Sequence, residues 1–316
     1  EEDPIVVAGG SCCTNPLPFL PAVDAVFLGD AEDSLCEAVE TLARLAAAGA
    51  ARRGKIEALA GIGGVLVEGV SSTVEARVHR FSPDDLPLRP VVPVSEIVHQ
   101  RLSIEIMRGC ARGCRFCHAG MFYRPCRERT VDEIMRAVRE GLDATGWDEV
   151  SLLSLSTSDY SRLGELLTRL MPELERRKVS LALPSLRPET ITEEIVAASG
   201  VVMRSGFTIA PEAGTERLRR VLRKDFSDAD ILDGARTILA AGWQSLKLYF
   251  MIGLPTETER DLEGIARLVD EILALPRSRG RFNLGVSVSP FVPKPHTPCQ
   301  WERQCGMEEL RDKQRH

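Results

Sequence analysis

The sequence predicts an α/β fold built on parallel strands, on three observations. From Ser103 onward six apolar segments of strand length alternate with helical patterns; the first of those helices carries both a start and a stop signal; and 316 residues give room for about two domains with a buried core. Strands and helices alternating in this way, with right-handed crossovers, make a parallel sheet that is either open or curled into a barrel. In a barrel the chemistry sits at the carboxyl ends of the strands.

The chain opens with a shorter α/β piece. Ile5 to Ala8 reads as a buried strand ending in Gly9-Gly10, Ala25 to Leu28 as a second ending in Gly29-Asp30, and Leu35 to Ala48 as a helix. Residues 51–102 read as an irregular connector, in which Gly61, Gly63 and Gly64 precede a short strand at Val65 to Val67, and Pro83, Pro87, Pro90 and Pro93 stiffen its second half. The six regular strands are expected at Ile104 to Met107, Val150 to Leu155, Val179 to Leu183, Phe207 to Ala210, Leu246 to Ile252 and Leu284 to Val288. Thr130-Val131-Asp132-Glu133 is a capping box; Ile134, Ala137, Val138 and Leu142 share one face of the helix it opens, and Gly146 ends it. Further helices are expected to begin near Ser158, Thr192 and Ser227, with Leu163, Leu166, Leu167 and Leu170 as a core stripe. The expected division is therefore 1–50, the tail of an open α/β domain; 51–102, a connector; 103–298, the regular core; and 299–316, the start of a further extension. The absence of Met or a leader at Glu1 reads as a segment of a longer chain.

Composition narrows the function classes. With 44% hydrophobic and 27% charged residues the chain is globular rather than disordered, collagenous or disulfide-scaffolded. The longest early uncharged stretch, Pro4 to Val23, is interrupted by Gly9, Gly10, Asn15, Pro16, Pro18 and Pro21, so no membrane span is expected. A net charge of -6 advertises neither nucleic acid nor an anionic membrane. Nine cysteines, an odd count with one tight cluster, point to reduced thiols serving a metal in a reducing compartment, by default the cytoplasm.

That cluster carries the chemistry. Cys110, Cys114 and Cys117 are spaced C-x3-C-x2-C on a loop with Gly109 and Gly113, directly after the first regular strand. Iron–sulfur clusters ordinarily take four cysteines, so three leave one iron free for an external ligand. Three rival readings stay open. Cys114-Arg115-Phe116-Cys117-His118 also fits c-type haem attachment, zinc could take His118 or Cys126 as a fourth ligand, and the cysteines could be inert structural residues. Cys12, Cys13, Cys36, Cys126, Cys299 and Cys305 read as structural, Cys299 and Cys305 being weak candidates for a second site.

C-x3-C-x2-C with Phe116 before its last cysteine is the signature of the radical S-adenosylmethionine (SAM) enzymes. The run Glu105 to Arg129, with Cys117-His118-Ala119-Gly120-Met121 and Tyr123-Arg124-Pro125, resembles the cobalamin-binding-type radical SAM proteins. This resemblance spans nearly the whole chain. It implies an incomplete six-stranded (β/α) TIM-like barrel preceded by the C-terminal part of a Rossmann-like (cobalamin-binding-type) domain. It also implies a 4Fe-4S cluster on Cys110, Cys114 and Cys117, SAM on the open iron, and a reductant such as flavodoxin or ferredoxin. A 5′-deoxyadenosyl radical would then abstract hydrogen from an unidentified substrate, in RNA modification or in methyl transfer through cobalamin, a cofactor the resemblance admits.

The same resemblance places the cofactor contacts. Ser154 and Ser156, ending the second strand, are candidates for the SAM amine; Glu212, in Ala210-Pro211-Glu212-Ala213-Gly214-Thr215, for ribose hydroxyls or the ammonium; and Lys224 for the carboxylate. Met251 and Gly253 would flank the adenine, with Glu257 opening the next helix, and Phe116 belongs to the cofactor site. As ordinary structure, the serines would cap a helix, Glu212 would favour a helix start, Lys224 would be a solvated surface cation and Met251 would fill the core. His296 receives no role. Six arginines against one acid between Arg108 and Arg129 call for a negative partner: the cluster with the SAM carboxylate, or RNA phosphates. The alternatives from other classes are an iron–sulfur or haem electron carrier and a zinc-stabilised RNA-binding module.

Overall fold

The computed structural model describes residues 3–71, 73–95, 97–198, 206–277 and 282–316. The amino-terminal unit is a small sheet: β1 (Val7–Ala8) runs parallel to β2 (Ala25–Phe27), and after α1 (Glu32–Ala47) and α2 (Arg52–Leu59) β3 (Val65–Leu66) returns antiparallel to β2. Ala25, Phe27, Ala38, Leu59, Ile62, Val65 and Val67 form its core. The segment expected to be irregular thus holds a helix. Only Ile56 and Leu59 give α2 its apolar face, and no side chain caps its start, so two local signals are missing. Its start is instead held from afar, by Arg52 on Asp24 at 2.6 Å and on the Pro4 carbonyl at 3.0 Å.

The regular core consists of two parallel three-stranded sheets. β4 (Leu102–Glu105) is separated from its partners by β5 (Met107–Arg108), α3 (His118–Phe122), β6 (Arg127–Glu128) and α4 (Val131–Thr145). Then come β7 (Glu149–Leu153), α5 (Leu163–Arg177), β8 (Ser180–Ala182) and α6 (Glu193–Ala198), giving the order β4-β7-β8. β9 (Phe207–Glu212), α7 (Glu216–Val221), α8 (Asp228–Ala240), β10 (Ser245–Ile252), α9 (Glu259–Leu273) and β11 (Asn283–Pro290) make the order β11-β10-β9, and α10 (Met307–Arg315) follows. All six strands expected from the sequence are present. A cavity of about 220 Å³ separates the two sheets where Leu181 to Leu186 face Phe207, Thr208 and Trp243.

The capped helix is realised as read. Glu133 donates its N–H to the Thr130 hydroxyl, Thr130 donates its own to Glu133, and Gly146 closes the helix at φ 69°. Three expectations need correction. The strand expected over 104–107 is divided at Ile106, whose N–H continues onto the Leu153 carbonyl while its own carbonyl accepts from Arg129. Beyond it, Met107 and Arg108 leave the sheet to pair antiparallel with Glu128 and Arg127. The helix expected near Ser158 begins at Leu163, because Thr157–Asp159 first forms a 3-10 turn. Glu257 opens no helix; Thr258 caps α9 in a box with Asp261, and Glu257 turns back onto Gly253. Among the described residues no helix is long and apolar enough to cross a membrane.

Candidate cluster and cofactor site

The short ladder of β5 and β6 closes the loop that carries the cysteines. Gly109 turns that loop at φ 89°, and a Cβ there would stand 2.5 Å from the Tyr123 carbonyl oxygen, so no larger residue fits. Gly113 makes a second left-handed turn, at φ 70°. Cys117 caps α3, its sulfur accepting from the Gly120 N–H at 3.4 Å. The loop is pinned to the second sheet's end, since Arg115 donates to the Leu222 and Val221 carbonyls at 2.9 Å and accepts from the Cys299 N–H.

All three thiols are free and half-exposed. Burial pushes the Cys114 thiol up and neighbouring Cys117 and Cys110 add to this, while Lys224 and Arg187 pull it down. The three sulfurs thus lie within electrostatic reach of one another and of two cations. As a donor set, three free thiolates on one glycine-turned loop suit iron–sulfur ligation. Among the described residues no three His, Cys, Asp or Glu side chains gather closely enough to hold a single metal ion.

Four of the sequence-predicted residues gather beside this loop, two of them as an ion pair and two against one apolar cluster. Lys224 donates to Glu212 at 2.8 Å, both largely buried, with Glu212 itself in the left-handed region at φ 68°. Phe116 and Met251 pack into one apolar cluster with Ala213, Leu218, Leu222, Leu254, Phe291 and Cys299. The remaining predicted contacts are already engaged. Ser154 bonds the Thr157 hydroxyl at 3.0 Å, and buried Ser156 donates to Asp159 at 2.7 Å. Gly253 donates to both oxygens of Glu257 and lies so close to Cys305 that a Cβ would meet its sulfur at 2.7 Å.

Two residues without a role in the sequence analysis, Asp159 and Arg187, also belong here, as does Glu257 in a role other than the helix start expected of it. Asp159 binds Arg112 of the cysteine loop at 2.7 Å; burial opposes its ionisation, but Arg112 and Ser156 hold its carboxyl below the usual range. Arg187, largely buried, reaches Cys114 electrostatically and stacks over Phe226. Glu257, 2% exposed, is held by Lys313 of α10 at 2.8 Å. The available signal was position: Asp159 and Arg187 each follow the carboxyl end of a core strand.

The arginines of the 108–129 run also have partners within the chain. Arg108, Arg127 and Arg129 surround Phe81, with Arg129 4.2 Å from the ring centre, and bond Asp30, Glu32, Glu105 and the His79 and Ser82 carbonyls. Arg112, Arg115 and Arg124 bond Asp159, the Val221 carbonyl and the Gly120 carbonyl. The chain's own acids and carbonyls thus engage each of the six, while Arg112, Arg115 and Arg124 remain exposed.

Comparison with known proteins agrees with this geometry. Residues 104–269 match the radical SAM superfamily, and residues 1–67 match the amino-terminal region of radical SAM proteins. The chain belongs to the radical SAM superfamily. It is 34% identical over 243 residues to the uncharacterised protein MJ0966 of Methanocaldococcus jannaschii, covering 75% of this chain and 52% of that protein. It is 28% identical over 239 residues to the threonylcarbamoyladenosine tRNA methylthiotransferase MtaB of Treponema pallidum, covering 72% and 46%. The chain therefore spans about half the length of these relatives. Its fold superposes on the radical SAM methyltransferase TsrM of Kitasatospora setae, solved with cobalamin and a 4Fe-4S cluster, with a TM-score of 0.67 and 18% identity over 95% of this chain and 57% of that one. The cobalamin-dependent radical SAM enzyme OxsB gives 0.61 and 15%, over 98% and 42%. At such identities the likeness is one of fold. The architecture is the radical SAM TIM-like α/β fold, and the likeness to TsrM and OxsB includes the amino-terminal unit.

Proposed function

We propose that this chain is the core of a radical SAM enzyme in which Cys110, Cys114 and Cys117 hold a 4Fe-4S cluster by three irons and SAM occupies the fourth. Such a cluster would supply one-electron reduction of the SAM sulfonium, the electron coming from a flavodoxin- or ferredoxin-like reductant, so that C5′–S cleavage would release methionine and a 5′-deoxyadenosyl radical able to take hydrogen from a substrate. The observation that supports this reading is three free thiols on one loop, with the Lys224–Glu212 ion pair within reach of Cys114 and Phe116 and Met251 packed against one apolar cluster.

The chain's own groups divide the work. Lys224 would exchange Glu212 for the SAM carboxylate, freeing Glu212 for the ammonium or ribose hydroxyls. Phe116 and Met251 would offer the adenine an apolar wall, and Gly253 would stand beside it with its own side-chain space filled by Cys305. Ser154, half-buried and bonded among the described residues to Thr157, is better placed for the amine than Ser156, which acts through Asp159 to hold Arg112 and the loop.

Cobalamin belongs to the proposal at one place. A cavity of about 310 Å³ lies between the amino-terminal unit and α3, lined by Leu28, Val74, Ala76, Met121 and Phe122 with His118 and His296. Its apolar lining suits the face of a macrocycle, and admitting one requires Thr14 to leave its bonds with both histidines, each 2.9 Å. A cluster with an open iron further places the protein in a reducing compartment such as the cytoplasm. The domain division proposed is 1–50, 51–102, 103–298 and 299–316.

Low-temperature EPR of anaerobically reconstituted, dithionite-reduced protein tests the reading. A four-iron signal that changes shape on adding SAM is expected. A signal indifferent to SAM would leave an electron carrier, and zinc without acid-labile sulfide would remove the radical mechanism.

A further inference from the structure

We propose that Asp30, at the end of β2 in the amino-terminal unit, is a positioning residue for the cysteine loop, setting where Cys110 stands relative to Cys114 and Cys117. This rests on the cluster reading above and adds a role for the amino-terminal unit.

Asp30 has a side chain only 6% exposed and bridges the two strands that close the loop. Its Oδ1 accepts from Arg108 at 3.0 Å and its Oδ2 from Arg127 at 2.5 Å, while the His79 N–H adds a third bond at 2.9 Å. Burial opposes its ionisation, but Arg127, the His79 N–H and Arg108 hold it charged. Arg108 and Arg127 are register partners in the β5–β6 ladder. Like charges directly opposite one another repel, so this ladder needs an anion between its two guanidinium groups. Arg108 keeps Glu105 and Glu32 without Asp30, but Arg127 has no other carboxylate among the described residues and would retain only the His79, Pro125 and Tyr123 carbonyls.

The consequence is confined to one side of the loop. Cys110 lies two residues beyond Arg108, whereas Cys114 and Cys117 are held independently, through Arg115 on the Leu222 and Val221 carbonyls and through the cap of α3. Loss of the Asp30 charge should therefore release Cys110 and leave the other two in place. A site held by supporting contacts of this kind loses geometry before it loses its ligands.

The test needs no cluster. In the reduced, metal-free protein, iodoacetamide alkylation of each cysteine is followed by peptide mass spectrometry in wild type, Asp30→Asn and Asp30→Glu. The expected result is a rise of about fivefold or more at Cys110 in Asp30→Asn, with Cys114, Cys117 and buried Cys13 and Cys299 unchanged, and wild-type rates in Asp30→Glu. Equal acceleration at all three loop cysteines, or none, overturns the proposal. Arg127→Met, which removes the repulsion from the other side, is expected to restore slow Cys110 alkylation when combined with Asp30→Asn; failure to do so also overturns it. In reconstituted protein, Asp30→Asn should keep its iron yet need about tenfold more SAM to change the EPR signal. Wild-type protein without a SAM-responsive signal would instead sink the cluster reading, which the alkylation result does not depend on.

Discussion

Lys224 and Glu212 form an ion pair of 2.8 Å beside Cys114, with side chains 13% and 16% exposed. In the proposed site each is the partner the other would give up for a zwitterionic ligand. The contact holds the two opposite charges that an amino-acid moiety would need, and binding would exchange one pair for two without leaving either group bare. Lys224→Met and Glu212→Gln should each cost about 1–2 kcal/mol in stability, since each strands a partly buried partner, and the double variant should cost less than the sum. Each single variant should also weaken SAM binding by about tenfold. Chemical denaturation and calorimetric SAM titration read the two effects, and additive stability losses would show that the pair is not coupled.

Ligand identity separates Cys114 from Cys126, which lies on the same loop and within electrostatic reach of Cys110. Cys114→Ala should lose the four-iron chromophore, whereas Cys126→Ala should retain wild-type iron and sulfide. Equal iron in the two variants would place the cluster elsewhere. Purification in air should bleach the wild-type colour, because an iron without a cysteine is open to oxidants.

The backbone of the loop makes a stricter demand. At Gly109 a methyl group would press on the Tyr123 and Pro125 carbonyl oxygens at 2.5 and 2.8 Å, and φ is 89°. Gly109→Ala should therefore lower stability by about 1–3 kcal/mol and iron loading with it. Gly49, at φ 70° with open space around it, is the control for backbone strain alone: Gly49→Ala should load iron normally. Iron per chain and melting temperature of the two variants decide the matter.

What the sequence showed and what it hid depend on the range of the contacts. The Thr130–Glu133 box and the Gly146 stop are written within a few residues and stand as expected, and the C-x3-C-x2-C spacing is equally local. The apolar runs likewise located all six core strands. Hidden were the features made by distant partners. Asp30 meets Arg108 and Arg127 across 78 and 97 residues, contacts that the spacing of the arginine run does not announce. Glu257 looked like the start of a helix, but Lys313, 56 residues on, accompanies its turn toward Gly253. The division of the first core strand at Ile106 depended on Arg127 and Glu128 arriving to pair with its far end.

The connector holds the protein's clearest pH dependence. His79, with a side chain 9% exposed, lies between Asp85 at 2.8 Å and Asp33 at 3.2 Å. Burial favours its neutral form, but hydrogen bonds and charge from Asp85 and Asp33 outweigh it and raise its pKa above the ordinary value. A raised folded-state pKa contributes stability that is fully present below the unfolded value of about 6.5 and is lost as pH rises through the folded one. Asp85 acts in the opposite direction. Burial resists its charge, yet His79 and the Ser82 N–H hold its carboxyl low, so its contribution is lost as pH falls through that depressed value. The melting temperature should therefore decline from about pH 6.5 upward, and His79→Gln should be less stable at pH 6 with that decline flattened. Because the His79 N–H and carbonyl bond Asp30 and Arg127, the same titration should raise Cys110 alkylation at high pH beyond what thiol ionisation explains. A His79→Gln variant with the wild-type pH profile would assign the dependence to other groups.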